Sequence, residues 1–268
     1  MRFMSLASNF IEINRILCRR LTPAHVHEAN VFGVYRKLGT MLLSHPQIHR
    51  VLDCGAGKRW HFPSYYKRWY DIHLIGIDID AHEMETNRDL DEKLVCDVTD
   101  QIPVTPECID LVLASSGVEH FSDNEAFLRN AYGCLRPGGF LLAQFPGRYA
   151  PFAIVNRLVP TRLARFLINL SMKNDAIDLG FPAHYDRTHY SAFSALAEKA
   201  GFECLYYSPG FYSSSYAEFL LPLWLLSYTY DALRFFIGSK NLASYNLFLL
   251  QKPPRAVDPE PLRFHAWP

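Results

Sequence analysis

Acidic residues and glycines stand at the ends of successive apolar runs in the first half of the chain. The stretch VLDCGAG ends the first run with Asp53, Gly55 and Gly57. Asp78 and Asp97 close the runs LIGIDID and KLVCDVTD. Glycine accepts a positive φ and lets the backbone approach a ligand closely, and a carboxylate at a strand end can accept both hydroxyls of a ribose. Three such acids in register favour a ligand that contains a nucleoside, although a glycine turn kept only for strand-to-helix geometry is the alternative.

The elements that must position these residues are short buried strands separated by amphipathic segments. Each apolar run holds four to six apolar residues bounded by acids, glycine or proline, as buried parallel strands do. Seven strands are predicted in this way, at 51–57, 74–80, 93–100, 109–116, 138–146, 202–208 and 244–252. The fold class is therefore α/β, with a doubly wound, mostly parallel seven-stranded sheet and helical insertions.

Two helices between the strands carry recognisable start and stop signals. Ser122 with Glu125 predicts a capping box at the start of one, which Pro137 and the two glycines after it end. Ser191 is predicted to cap a later helix, and Gly201 to end it.

Composition excludes several classes of function. The chain has 268 residues, of which 49% are hydrophobic, and 27 basic residues balance 27 acidic ones. Nothing in this balance indicates a nucleic-acid partner. The six cysteines are scattered singly without zinc-type spacing, so no metal site is expected. The N-terminus lacks the apolar core of a signal peptide, and a cytoplasmic location is expected.

The motifs LDCGAG, GIDID, CDVTD, IDLVLASSGVEHF and LRPGGFLLAQFP follow one another between residues 51 and 146. In this order they resemble the class I S-adenosylmethionine-dependent methyltransferases, in particular the small-molecule branch of methyltransferase type 11. A nicotinamide-dependent oxidoreductase, the first alternative, would carry a third glycine where Trp60 stands. A non-catalytic binding protein of the same fold at a membrane surface is the second alternative, and it would be expected to have lost the ribose acid or the loop glycines.

The resemblance implies S-adenosylmethionine as the cofactor and a role for each motif residue, with no metal. The loop glycines would approach the methionine moiety, and Asp53 would orient the loop or reach the ammonium through water. Asp78 with Ile79 would hold the ribose. The remaining cofactor contacts would come from the ends of the next two strands, with Asp97 and Val98 on the adenine and Ser115 or Ser116 beside the sulfonium.

Three histidines are candidates for a catalytic base, because their unperturbed pKa lies near neutral pH. They are His120, in VEHF after the fourth strand, and His184 and His189, which flank YDRT. A structural role is the alternative for His120, and helix capping is the alternative for the other two and for Tyr185 and Asp186. The fourth motif lacks the N/D-P-P-Y/F and Pro-Cys patterns of nucleobase or glutamine methylation, so a small-molecule, glycan or lipid-linked acceptor is expected.

The remaining segments are predicted to build the acceptor side. Residues 1–50 form a helical cap that contributes Tyr35 to the wall, and 51–252 form the cofactor-binding domain. Insertions at 147–190 and 209–240 form the acceptor pocket or lid. The proline-rich tail at 253–268 is extended.

Two apolar stretches have several interpretations. Residues 151–173 read as a basic amphipathic element that lies on an anionic membrane surface, grips a phosphate-bearing substrate or serves as a lid. Residues 216–238 are apolar almost all round but too short to span a bilayer, which leaves core burial, a homodimer interface or peripheral membrane contact.

Overall fold

The computed structural model describes residues 2–24, 26, 30–158 and 182–255. The helices are α1 (Arg2–Leu21), α2 (Val31–Leu43), α3 (Tyr65–Trp69), α4 (Ala81–Glu85), α5 (Asn124–Cys134), α6 (Pro151–Leu158), α7 (Tyr190–Ala200) and α8 (Leu221–Ile237). The strands are β1 (Arg50–Cys54), β2 (His73–Asp78), β3 (Glu92–Val95), β4 (Ile109–Ser115), β5 (Leu135–Pro146), β6 (Glu203–Gly210) and β7 (Tyr245–Gln251). Short 3₁₀ turns lie at Val118–His120, Ser214–Ala217 and Lys240–Leu242.

The seven strands form one sheet in the order β3-β2-β1-β4-β5-β7-β6. All neighbours pair in parallel except β7, which is antiparallel to both β5 and β6. The chain order reverses between β1 and β4, so the carboxyl ends of these strands form the crevice in which open α/β sheets bind ligands. The predicted doubly wound, mostly parallel sheet is confirmed.

Both faces of the sheet are buried, because alternate residues of each strand enter different core clusters. Leu52 and Cys54 of β1 point into a cluster with Phe127 of α5 and Phe193 of α7. Val51 points into the opposite cluster, where α2 packs. Helix α2 is thereby fastened to the sheet on the side of β1.

The start of α5 differs from its prediction. The N-cap is Asp123, whose Oδ1 accepts from the backbone N–H groups of Glu125 at 2.9 Å and Ala126 at 3.3 Å. The predicted capping box from Ser122 is therefore wrong. The Glu125 side chain forms ion pairs with Arg187 and Lys199 instead of returning to the cap. A carboxylate one residue further on occupied the position that the serine was predicted to take.

The start of α7 also differs, while its end was predicted correctly. The N-cap is His189, whose side chain makes no capping bond, and the Ser191 N–H donates to Asn241 Oδ1 at 2.8 Å. Ser191 thus lies in the first turn of the helix, and a distant side chain satisfies its own orphan N–H. Gly201 ends the helix at φ +99°, in the left-handed conformation that glycine tolerates.

Helices α1 and α8 pack against each other at one end of the sheet. Cys18 and Trp224 share a small buried cluster, and Asn14 Oδ1 accepts from the Leu221 N–H at 2.8 Å. In the part of the chain that the structure describes, no helix has the length and apolarity to cross a bilayer. The division into a cap, a domain and a tail stays a prediction, since residues 159–181, most of the basic stretch 151–173 and residues 256–268 lie outside the described residues.

Candidate functional site

The glycine loop after β1 is held by hydrogen bonds to the end of β2. The N–H groups of Gly55 and Ala56 both donate to the Ile77 carbonyl, at 2.8 and 3.0 Å. The Gly57 N–H donates to Asp78 Oδ2 at 3.1 Å. Gly55 has φ +74° and Gly57 has φ +50°, so any other residue at these positions would be strained. The loop and the strand-end acid therefore form one structural unit.

A residue that sequence reasoning missed closes this loop from the other side. Asn87 follows α4, is 1% exposed, and donates from Nδ2 to the carbonyl oxygens of Ala56 at 3.3 Å and Gly57 at 3.1 Å. These bonds tie the glycine loop to the segment that follows α4. An isolated asparagine in the stretch TNRD carries no local signal of such a role.

Asp53 is a buried carboxylate beside two other polar groups of the crevice. Burial, and then the charge of Asp78, raise its pKa to about 7. Tyr35 of α2 is buried next to it, and its side chain is hydrogen-bonded to that of Ser115. Burial and the charge of Asp53 raise the tyrosine pKa well above its usual value. The structure thus brings Tyr35, Asp53 and Ser115 together where β1 and β4 diverge.

The ends of β2 and β3 present the remaining predicted cofactor residues. Asp78 is half-buried, its Oδ1 accepts from the Asp80 N–H at 3.1 Å, and Ile79 beside it is exposed. Asp97 Oδ1 accepts from the N–H and the hydroxyl of Thr99, both at 2.8 Å. Val98 is buried within the core cluster under α5, so its side chain supports the crevice from beneath.

The end of β4 meets the glycine loop across a narrow gap. Ser115 Oγ and Ser116 Oγ lie 3.3 and 3.4 Å from Oε1 of the fully buried Gln144, whose Nε2 finds no hydrogen-bond partner among the described residues. Ser116 has φ +55°, a conformation that costs energy for a residue with a side chain. A Cβ added at Gly55 would stand 3.6 Å from Gly117 Cα. The two strand ends are therefore closely apposed.

Glu119 is a second candidate residue that sequence reasoning missed. It lies in the 3₁₀ turn after β4 and is 6% exposed, and its Oε2 has no hydrogen-bond partner among the described residues. Burial raises its pKa to about 8. Its backbone carbonyl accepts the N–H groups of His184 at 2.8 Å and Tyr185 at 3.0 Å, which docks the end of the insertion against the turn. The motif VEH contained this residue, but the apolar run before it gave no sign of its burial.

The structure separates the three candidate histidines into two places. His120 and His184 lie beside Glu119, with His120 Nε2 3.9 Å from Glu119 Oε1. Burial lowers the pKa of His120, whose Nδ1 lies 3.2 Å from the Pro182 carbonyl. His189 lies instead at the start of α7, with its ring centroid 5.2 Å from that of Tyr149. Burial and the nearby Arg148 lower the pKa of His189.

The Asp186 side chain stabilises the fold at the start of α5. Its Oδ2 accepts from the Asn124 N–H at 3.0 Å, and its carboxylate pairs with Arg187. The carboxylate is therefore engaged with the start of α5, and not with α7, the helix that its predicted structural alternative would have capped.

Three tyrosines from separate segments lie near enough to the Glu119 carboxylate for its charge to act on them. Tyr185 and Tyr216 are buried or partly buried, and Tyr245 Oη lies 3.0 Å from Tyr216 Oη. Phe152 of α6 packs on two of them, with ring centroids 4.9 and 5.5 Å away. Burial raises the pKa of Tyr185 to about 12, and the charge of Glu119 adds to the effect on each of the three. Glu119 therefore faces neutral aromatic hydroxyls.

A cavity of about 200 Å³ adjoins this aromatic group. It lies between the end of α1, the start of α2, the end of β6 and the start of α8. Its lining includes Thr22, Phe32, Tyr212, Trp224 and Tyr245. Tyr245 thus belongs both to the cavity wall and to the group around Glu119. Within the described ranges, no set of three or more His, Cys, Asp or Glu side chains is arranged to hold a metal ion.

A protein-family model described as a methyltransferase domain matches residues 52–143, which run from β1 into β5. The trans-aconitate 2-methyltransferase of Methylobacterium radiotolerans is 29% identical over 114 residues, covering 42% of this chain and 43% of that protein. The mitochondrial ubiquinone biosynthesis O-methyltransferase of Mus musculus is 37% identical over 78 residues, covering 25% of this chain and 21% of that protein. The match therefore spans less than half the length of either curated relative.

A solved structure shows the same fold. Phosphoethanolamine N-methyltransferase 2 of Haemonchus contortus, in complex with S-adenosyl-L-methionine, superposes with a TM-score of 0.52 at 14% identity. The superposition covers 81% of this chain and 52% of that one. Motif order, sheet topology and family match agree, and residues 52–143 of this chain are similar to a methyltransferase domain.

Proposed function

We propose that this protein transfers a methyl group from S-adenosylmethionine to a small-molecule, glycan or lipid-linked acceptor. The observation that carries the proposal is the pair of acids at the glycine loop. Burial raises the pKa of Asp53 to about 7, and the charge of the nearby Asp78 adds to this effect. Such a pair favours a bound cation, and the donor carries an ammonium and a sulfonium group.

The strand-end acids keep acceptor capacity for a nucleoside. Each oxygen of Asp78 already accepts one backbone N–H, from Gly57 and from Asp80. A carboxylate offers about four lone-pair sites, so each oxygen retains one for a ribose hydroxyl. Asp97 binds Thr99 through Oδ1 alone and can take an adenine amino group on its other oxygen. The residues present therefore fit the cofactor that the family uses.

Glu119 is the group best placed to receive a proton from the acceptor. S-adenosylmethionine supplies an electrophilic methyl group when bound, and a base is needed only when the nucleophile starts protonated. Glu119 Oε2 has no partner among the described residues, and its pKa of about 8 lies near neutral pH. His120 and His184 beside it are the alternative proton acceptors. His189 is the least suited of the three by its position at the start of α7.

The test is a calorimetric titration of the whole chain with S-adenosylhomocysteine and, separately, with NADH. We expect micromolar binding of the first ligand only. Asp78→Ala should weaken that binding at least about 30-fold, because it removes the ribose acceptor and the Gly57 bond together. Asp80→Ala is the matched control, since it removes a carboxylate two residues away that only caps α4.

The same titration distinguishes two results that would contradict the proposal. A folded chain that binds neither ligand would contradict the proposal and favour a non-catalytic binding protein of this fold. Binding of NADH instead would favour an oxidoreductase.

A further inference from the structure

Helix α8 presents an apolar face to the outside of the molecule. Six of its eight exposed large apolar residues fall at helical spacing on one side, and we call this set the α8 face: Leu223, Leu226, Tyr230, Leu233, Phe236 and Ile237. Phe236 is 84% exposed and Leu226 69%. Scattered apolar residues are common on protein surfaces, but a whole helix face of them marks an interaction site.

The charged residues of α8 are turned inward. Asp231 and Arg234 are its only charged residues, they pair with each other, and they are 0% and 2% exposed. Asp231 also accepts from the Ser213 and Ser214 N–H groups, at 2.6 and 2.8 Å. This buried pair fixes the rotation of α8 about its axis, so the outward position of the apolar face is built into the fold.

Apart from the Tyr230 hydroxyl, the side chains of the α8 face are hydrocarbon. The Thr229 hydroxyl, which borders it, donates to the carbonyl of Leu225 one turn earlier at 2.8 Å. The Tyr230 ring is covered by the Arg234 guanidinium at 4.9 Å. Protein partners usually make one hydrogen bond per ~100–200 Å² of interface, whereas hydrocarbon requires every polar group to be satisfied internally. The chemistry of the face suits lipid better than a second protein surface.

Helix α1 extends the apolar surface and adds positive charge beside it. Four exposed apolar residues recur along it at spacings of three and four: Phe10, Ile13, Leu17 and Leu21. Its last turn carries Arg19 and Arg20, both exposed. Arg19 pairs with Glu218, and Arg20 borders the apolar stripe by its helical position. Basic residues beside an apolar stripe are complementary to anionic lipid headgroups.

We propose that the α8 face and the apolar stripe of α1 form a docking surface for an anionic lipid bilayer. Helix α8 has 17 residues and so is about 25 Å long, which lets it lie in the headgroup region without spanning the membrane. The cavity lined by Thr22 and Trp224 opens between these same two helices. Docking would therefore place this cavity beside the lipid. The choice of a lipid-linked acceptor rests on the proposed methyl transfer, but the membrane contact does not.

The test is co-sedimentation of the whole chain with vesicles, without donor or acceptor. We expect binding to phosphatidylcholine vesicles that contain phosphatidylglycerol, and weaker binding to phosphatidylcholine alone. The double variant Leu226→Gln with Leu233→Gln should lose at least about tenfold in partitioning, because two apolar side chains leave the membrane. Trp69→Gln is the matched control, since it removes an equally exposed apolar side chain on α3 and should bind as the wild type does.

Arg20→Gln tests the electrostatic part separately. It should weaken binding to the anionic vesicles about fivefold and leave binding to phosphatidylcholine unchanged. The proposal is overturned if the wild type sediments with neither vesicle, or if the double variant binds as well as the wild type. It is also overturned if light scattering shows a dimer that the double variant converts to a monomer without vesicle binding, because a second copy of the chain would then cover the α8 face. Titration with S-adenosylhomocysteine reports on the proposed function independently of these outcomes.

Discussion

The two halves of the crevice are built in different ways. The cofactor edge, meaning the glycine loop with Asp53, Asp78 and Asp97, is held by bonds between nearby segments, such as that of Gly57 to Asp78, 21 positions on. The acceptor side, meaning Glu119 with Tyr185, Tyr216 and Tyr245, is assembled from segments spread over more than 120 positions. The first depends on backbone geometry, and the second on side chains that long-range packing brings together. The difference teaches that the proposed cofactor site depends on local motifs, while the proposed acceptor side depends on the surrounding insertions.

Each half also holds one buried carboxyl group with a raised pKa, for different reasons. Burial and a neighbouring acid raise the pKa of Asp53 to about 7. Burial alone raises that of Glu119 to about 8, among aromatic hydroxyls. A bound cation would offset the repulsion between Asp53 and Asp78, whereas proton exchange with an acceptor would involve the Glu119 carboxyl group.

The largest expected effect comes from the buried Asp231–Arg234 pair, which holds the turn that contains Tyr216 of the acceptor side. Asp231→Ala leaves Arg234 buried without its carboxylate and frees the Ser213 and Ser214 N–H groups. We expect the free energy of unfolding, measured with urea, to fall by about 3–5 kcal/mol. The joint replacement Asp231→Leu with Arg234→Met is the control and should cost much less, since no charge is left uncompensated. A loss under ~1 kcal/mol for Asp231→Ala would show that the Asp231–Arg234 pair is not needed to hold this part of the fold.

The second effect compares the two carboxyl groups through pH. The folded-state pKa of Glu119, about 8, lies above its ordinary value of 4.5, so the folded chain binds the extra proton and stability falls as pH rises between these values. Between pH 5 and pH 8 the wild type should lose about 4 kcal/mol on account of Glu119. Glu119→Gln should remove this part of the loss in urea unfolding at the two pH values. Asp53 also lowers stability as pH rises, between its ordinary pKa of 3.8 and its folded-state pKa of about 7, and this contribution should remain in the variant.

If Glu119→Gln keeps the pH dependence of the wild type, the carboxyl is not buried as the structure shows. The affinity of Glu119→Gln for S-adenosylhomocysteine should equal that of the wild type, because Glu119 lies on the acceptor side.

The smallest effect sharpens the description of the cofactor edge. Asn87→Ala removes two hydrogen bonds to the carbonyl groups of the glycine loop, at a fully buried position. We expect unfolding stability to fall by about 1–2 kcal/mol and the affinity for S-adenosylhomocysteine to fall several-fold. Gln101→Ala, at an exposed amide, should change neither quantity. Unchanged ligand affinity in Asn87→Ala would mean that the glycines and Asp78 hold the loop by themselves.

Sequence patterns predicted the strands well and the helix starts less well. All seven strands appear, and the central ones are apolar runs buried on both faces of the sheet, which need no distant information to be recognised. Asp123 replaced Ser122 as the cap of α5, and His189 took the N-cap position predicted for Ser191, whose N–H donates to Asn241. Both helix starts depended on competition between side chains, one of which arrives from 50 positions away.

The sequence by itself determined the sheet, its switch point and the positions of Asp53, Gly55, Gly57, Asp78 and Asp97, since strand ends, glycine conformation and local hydrogen bonds follow from neighbouring residues. Only the tertiary structure decided that Glu119 is buried among three tyrosines, that Asn87 closes the glycine loop and that α8 turns its charges inward. The physical reason is that burial and the pairing of side chains are properties of contacts between distant segments. No short stretch of sequence contains both partners of such a contact.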